Sequence, residues 1–390
     1  MTPKQKVATG TAAVAATITA LLIALPGGDT KVQPFFAPAA SINQPVSVYG
    51  RSATLQEYAS RLWTYGSGAA PAGRVNTAFG DYGVPIYDAA NATTTARVFQ
   101  ATWAMNLMTF GTVKIGATIP WNPTWKGGTG NDGYLVIVDR KADRVWELGG
   151  VGGPRTNCSF NLTNYLAGFD PTASRHLCLS RAQTYTGLYT ADPSAVDGRG
   201  AGVAKASLVV RADEVASGEI RHALGLTIVA TMFGPPCRPI NNATAQGAGS
   251  SCGFYLPPAT KLERTNPNIG CPVKQAVTIE ERRKTVPEGM RFALDITDSD
   301  IDRWLDSRSY TGALRDTARI FAVALRDYGW VIAETGCYGT LLVTDSATVG
   351  PSAATWKRLG VSGAGTNPNI DLLHGLFTPE RIYVVEPPKS

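Results

Sequence analysis

Polar and apolar residues alternate most clearly in residues 213–232 (DEVASGEIRHALGLTIVATM). An acidic stretch of helical character stops at Gly218. Beyond it, Ile220, His222, Leu224, Leu226, Ile228, Ala230 and Met232 share one face at a period of two. Glu219, Arg221, Ala223, Gly225 and Thr227 share the other. The spacing predicts a long central strand with His222 on its more apolar face. Shorter strands are predicted at 84–87, where Pro85 points to a sheet edge, and at 95–103. Two more are expected at 275–280 and 290–296, the second following the turn Pro287-Glu288-Gly289. Residues 133–139 (GYLVIVD) and 144–148 (RVWEL) flank a charged tetrapeptide, the pattern of a hairpin. Residues 330–335 and 339–344 predict a second hairpin, and 381–385 a closing strand.

Helical periodicity is rarer. Thr54 and Glu57 form a capping-box pattern ahead of an apolar stripe at Leu55, Ala59, Leu62 and Trp63, which predicts a helix over 55–65. Leu314, Ala318, Phe321, Ala322 and Leu325 share a face over 311–328, and Gly329 stands where a helix cap belongs. Trp356 falls in a short helical stretch. Many short strands, few helices and no βαβ rhythm predict a mostly β fold: an antiparallel, jelly-roll-like β-sandwich with a few peripheral helices.

Composition changes this picture little. The 41 glycines and 25 prolines suit many turns between short strands. A net charge of +6 without any long Lys/Arg block gives no nucleic-acid footprint. The N-terminus changes it more. Lys4 and Lys6 precede an uncharged run over 7–28, a pattern for a secretory signal, a membrane anchor or an apolar helix that plugs into a larger assembly. Residues 1–28 are therefore read as a signal or anchor segment, 29–50 as a proline-bearing linker, and 51–390 as a single β-rich domain. Cys158, Cys178, Cys237, Cys252, Cys271 and Cys337 contain no CxxC pair, and three histidines are too few to complete a zinc site. No metal or cofactor is expected. The even cysteine count reads as disulfides, with sequence neighbours paired first (158–178, 237–252, 271–337) because short loops close most easily. Free buried thiols are the alternative.

Strong catalytic motifs are absent. A looser constellation is present: Trp121 and Trp125 in a proline-stiffened loop beside Asp132, Tyr134, Asp139 and Glu147. Sugar rings stack on aromatic faces, and paired carboxylates serve glycoside hydrolysis. His222 and Tyr134 are instead the residue types that act as acid and base in a polysaccharide lyase. The candidate catalytic set is thus His222, Tyr134, Asp132 and Glu147, with Trp121 and Trp125 as ligand-binding residues. Against it stands the plain reading of core aromatics, turn aspartates and a satisfied buried histidine.

Four stretches carry a resemblance: 82–89 (YGVPIYDA), 130–139 (GNDGYLVIVD) with 146–148 (WEL), 210–224 (VRADEVASGEIRHAL) and 318–336 (ARIFAVALRDYGWVIAETG). Together they resemble a group of exported β-sandwich proteins of actinobacteria and their phages, a group with no assigned activity. The resemblance covers most of 75–385 and implies a jelly-roll-like sandwich. Many members carry His at the position of Tyr134, and the group supplies no catalytic residue. Two functions follow as expectations. One is a secreted or membrane-anchored protein that binds, or as a lyase or hydrolase cleaves, polysaccharide at the cell envelope. The other is a non-enzymatic virion component of minor tail type, or a structural surface protein.

Overall fold

The computed structural model describes residues 32–65, 75–101, 111–152, 158, 161–173, 175–195, 198, 200–229, 231–232, 253–263, 285–336, 340–361 and 371–388. Lys31–Ser390 form one compact unit. The strands are β1 (Asn76–Thr77), β2 (Ile86–Asp88), β3 (Thr94–Gln100), β4 (Thr118–Trp121), β5 (Leu135–Asp139), β6 (Arg144–Gly149) and β7 (His176–Leu179). They continue with β8 (Arg181–Thr186), β9 (Leu224–Ile228), β10 (Arg291–Leu294), β11 (Trp330–Thr335), β12 (Leu341–Leu342) and β13 (Ile382–Val384). The helices are α1 (Glu57–Tyr65), α2 (Leu162–Leu166), α3 (Ala212–Ala216), α4 (Asp298–Arg308), α5 (Gly312–Asp327) and α6 (Ala353–Arg358).

Among the described residues these strands form three sheets, with strand orders β1-β12-β9-β11-β10-β13, β2-β5-β6-β8 and β4-β3-β7. One core lies between the helices and the large sheet, where Leu224, Leu226, Ile228, Phe292, Trp330 and Ile332 meet Phe321, Leu325 and Trp356. A second lies between the large and the four-stranded sheets, where Val331 and Val343 meet Val136, Val138 and Val145. A third lies between the four- and three-stranded sheets, where Leu135, Ile137, Trp146 and Leu148 meet Ala96, Val98 and Ile119. The uninterrupted apolar run Leu135–Val138 is thereby explained. The strand sends Leu135 and Ile137 into one core and Val136 and Val138 into the next, so both faces are apolar.

The β-rich class agrees with the sequence, but the sheets are mixed and open. Among the described residues four of the ten strand pairings are parallel: β1–β12, β9–β11, β2–β5 and β3–β7. Parallel neighbours require a crossover that returns the chain to the same end of the sheet. Between β9 and β11 the intervening chain includes α4, β10 and α5. The β5–β6 hairpin is formed as expected, with Val136 opposite Glu147. The second expected hairpin is not. β12 pairs with β9 and β1 instead of β11, because β9 lies between them.

Helix α5 matches its periodicity and buries Ala318, Phe321, Ala322 and Leu325. Each of the larger side chains contributes about 1.5–3 kcal/mol of transfer free energy. Gly329 ends that turn at φ +67°, and its N–H donates to Ala324 O at 2.9 Å. Helix α4 is an addition to the elements that periodicity predicts. It is started by a capping box in which Thr297 and Asp300 exchange hydrogen bonds.

The stretch expected as a linker is packed over its described part. Phe35, Phe36, Ile42 and Val46 are buried, and Asn43 Nδ2 donates to Phe35 O at 2.8 Å. Cys158 and Cys178 form a disulfide with Cα atoms 4.9 Å apart, the pairing expected for that pair. Cys237, Cys252, Cys271 and Cys337, the N-terminal segment and the strand expected at 275–280 lie outside the described residues. No helix among the described residues is long and apolar enough to cross a membrane.

Candidate functional site

His222 does not lie on a strand. The chain bends at His222, and β9 starts two residues later at Leu224. The side chain is 3% exposed. Its Nδ1 lies 2.8 Å from Ala223 O and its Nε2 lies 3.3 Å from Glu214 Oε2. Glu214 comes from α3 and is buried too. It accepts from Arg211 N at 3.0 Å and pairs with Arg211 Nη2 at 3.1 Å. Burial pushes the Glu214 carboxyl up, but Arg211, His222 and their hydrogen bonds outweigh it and hold the group below its usual range. This network ties α3 to the start of β9, with His222 as one of its members.

Tyr134 and Glu147 meet each other but not His222. Tyr134 Oη donates to Glu147 Oε2 at 2.9 Å. Tyr185 Oη and Ala206 N both donate to Glu147 Oε1, each at 2.9 Å. Three donors thus satisfy a carboxylate that is 1% exposed. Burial, then the Glu147 charge, pushes the Tyr185 hydroxyl well above the ordinary tyrosine range. Lys205 Nζ lies 5.3 Å from the Tyr134 ring centroid and pairs with Glu334 at 3.0 Å. Asp132 is half-buried at the turn before β5, where its carbonyl accepts from Gly150 N. Asp139 caps its own turn through Lys141 N and Ala142 N.

The two tryptophans divide. Trp121 sits in the outer core and contacts Trp125 edge-on, with ring centroids 5.7 Å apart. Trp125 stacks on Tyr87 at 4.9 Å with an interplanar angle of 19°. Together, Tyr87 and Trp125 form part of the floor of an open cleft of about 480 Å³. Tyr87 Oη is fixed by both the carbonyl and the N–H of Lys126, at 2.9 and 3.0 Å. Asp88, Asn91, Thr124 and Lys126 also line the cleft, and the turn at 348–351 supplies a further wall. That wall needs its glycine: Gly350 has φ +85°, and a Cβ there would stand 2.8 Å from Pro85 Cβ. Ser346 Oγ braces the turn by accepting from Thr348 N and Val349 N.

Of the candidate site residues named from the sequence, only Trp125 lines this cleft. Tyr87, Asn91 and Lys126 carry no signal of their own, because the cleft is assembled from three distant segments. No local pattern joins 87–91, 124–126 and 348–351. Another buried cluster is equally silent in the sequence. Glu288 is fully buried, with Oε1 accepting from Thr231 Oγ1 at 3.0 Å and Oε2 from Glu263 N at 2.8 Å. Thr335 N donates to the Glu263 carboxylate at 2.7 Å. Burial first and the Glu263 charge second push Glu288 well above the usual carboxylate range. Among the described residues no group of three or more His, Cys, Asp or Glu is arranged to hold a metal ion. Comparison with protein-family models, with curated proteins and with solved structures returned no match.

Proposed function

We propose that this chain is an exported, non-catalytic glycan-binding protein whose site is the Tyr87–Trp125 cleft. The observation that carries the reading is a stacked aromatic pair in the floor of an open cavity that polar side chains also line. That combination of apolar floor and few polar groups suits a sugar ring. Trp125 is only 7% exposed, so the pair offers a narrow, rigid floor instead of a broad platform. The lyase and hydrolase versions lose their support. His222 and Tyr134 bond to different buried carboxylates, and none of His222, Tyr134, Asp132 and Glu147 lines the cleft.

The basic–apolar N-terminus and the resemblance to exported actinobacterial and phage proteins support placement at the cell envelope. The stacked β-sheets are compatible with the sandwich part of that likeness, while the parallel pairings depart from an antiparallel jelly roll. A second reading, a non-enzymatic virion or structural surface protein, is favoured by one observation. His222, Tyr134 and Glu147 all commit polar atoms to bonds inside the fold.

A glycan-array screen of the intact protein tests the first reading. A bound glycan is expected, with affinity lowered about tenfold or more in Trp125→Ala and severalfold in Asn91→Ala, an exposed change that leaves the core alone. Absence of any ligand, or a ligand indifferent to both substitutions, would favour the structural reading.

A further inference from the structure

The polar side chains of the cleft differ in how far the protein already satisfies them. Asp88 is engaged: Oδ1 accepts from Ala90 N at 2.8 Å, and Oδ2 lies 3.7 Å from Arg140 Nε. Thr124 Oγ1 donates to Asn122 Oδ1 at 2.8 Å, and Thr348 Oγ1 lies 3.1 Å from Ser346 Oγ. Tyr87 Oη is held by Lys126 backbone. Two side chains are left over. Among the described residues, neither the Lys126 ammonium nor the Asn91 carboxamide makes a hydrogen bond or ion pair. Asp88 and Lys126 are the only charged groups among the described residues that line the cleft, and Arg140 compensates Asp88. The uncompensated charge is therefore positive. Lys126 supplies three donors and no acceptor, whereas the carboxamide supplies both.

We infer that the cleft selects an acidic glycan, with a carboxylate or sulfate of the sugar meeting Lys126 Nζ and ring hydroxyls meeting Asn91 over the Tyr87–Trp125 floor. This rests on the glycan reading of the same cleft and adds the class of sugar. A charge-assisted bond to an exposed lysine is modest and screened by salt. The preference is therefore expected at about fivefold in low salt and reduced at about 0.5 M salt.

Isothermal titration of the intact protein with three probes tests it: an oligogalacturonate, the same oligomer reduced at its carboxyls to a neutral sugar, and a sulfated form of that neutral oligomer. One or both acidic probes are expected to bind about fivefold tighter than the neutral one, and which of them does so identifies the anion. Lys126→Gln is expected to bring the acidic-to-neutral ratio to about one, and Trp125→Ala to weaken every probe that binds. Equal binding of neutral and acidic probes, lost in Trp125→Ala, overturns the charge inference and leaves the glycan reading standing. An acidic preference that survives Lys126→Gln also overturns it. No binding of any probe overturns both.

Discussion

The substitution Asp345→Asn is expected to stabilise the protein above neutral pH. Asp345 is 2% exposed and follows β12. Both its oxygens lie 3.2 Å from Ala212 N, and one accepts from Trp356 Nε1. Burial pushes its carboxyl from the ordinary 3.8 up to about 7, against the opposing pull of hydrogen bonds from Ser352, Ala212 and Trp356. A group whose folded value is raised contributes fully below its unfolded value and loses that contribution as pH climbs through the folded one. The window is therefore about pH 4 to 7. About three pKa units at ~1.4 kcal/mol each amount to about 4 kcal/mol of stability lost across it. The carboxamide of Asp345→Asn keeps one oxygen for Trp356 and removes the charge, but its NH2 faces Ala212 N at a penalty of about 1–2 kcal/mol. The variant should thus be about 2 kcal/mol more stable than the parent at about pH 8 and less stable than it near pH ~4.5. Denaturant titration at both pH values, followed by tryptophan fluorescence, measures this directly, since Trp356 touches the substituted group. A difference of the same sign and size at both pH values would refute the argument.

Other consequences are equally direct. Glu147→Gln leaves three donors facing one carbonyl oxygen and an amide, and should cost about 1–3 kcal/mol in urea unfolding. Glu288→Gln should flatten the fall in melting temperature as pH rises above the ordinary carboxylate range. The raised carboxyl of Glu288 contributes stability below the ordinary carboxylate range and loses it as pH rises through its folded value; an unchanged pH profile counts against burial of a raised carboxyl at this position. Replacing both Cys158 and Cys178 by serine opens a loop with a sequence separation of 20, worth about 3 kcal/mol in chain entropy. A denaturation midpoint equal to the parent's would contradict that.

Legibility in the sequence follows the range of the interactions. Helix α5 and the β5–β6 hairpin are local, and their apolar spacing and turn residues are enough. Helix α4 carries a local signal too, since Thr297 and Asp300 are a capping box, but its surface is so acidic that only Ile301, Trp304 and Leu305 mark a buried stripe. The parallel pairing of β9 with β11 joins segments far apart in the chain, and no local pattern encodes it. Alternation misplaces His222 because it continues through a bend; there the imidazole lies against Glu214 Oε2 at 3.3 Å, a contact from α3 that polarity alone does not reveal. In the cleft, Trp125 is visible from its loop. Its partner Tyr87 and the 348–351 wall are not, because packing between distant segments brings them there.

Glu147 has a consequence for how the four-stranded sheet finds its alignment. β5 is apolar on both faces, so a slip of one residue against β6 would exchange Leu135 and Ile137 for Val136 and Val138 with little penalty from hydrophobicity alone. The carboxylate breaks that degeneracy. In the native alignment it meets two phenols and an amide; a slip of β5 would carry Tyr134, which precedes that strand, away from Glu147 and take a donor from a buried polar group, which is costly. Side chains that look like chemistry in the sequence thus act as an address, telling one greasy strand which neighbour is its own.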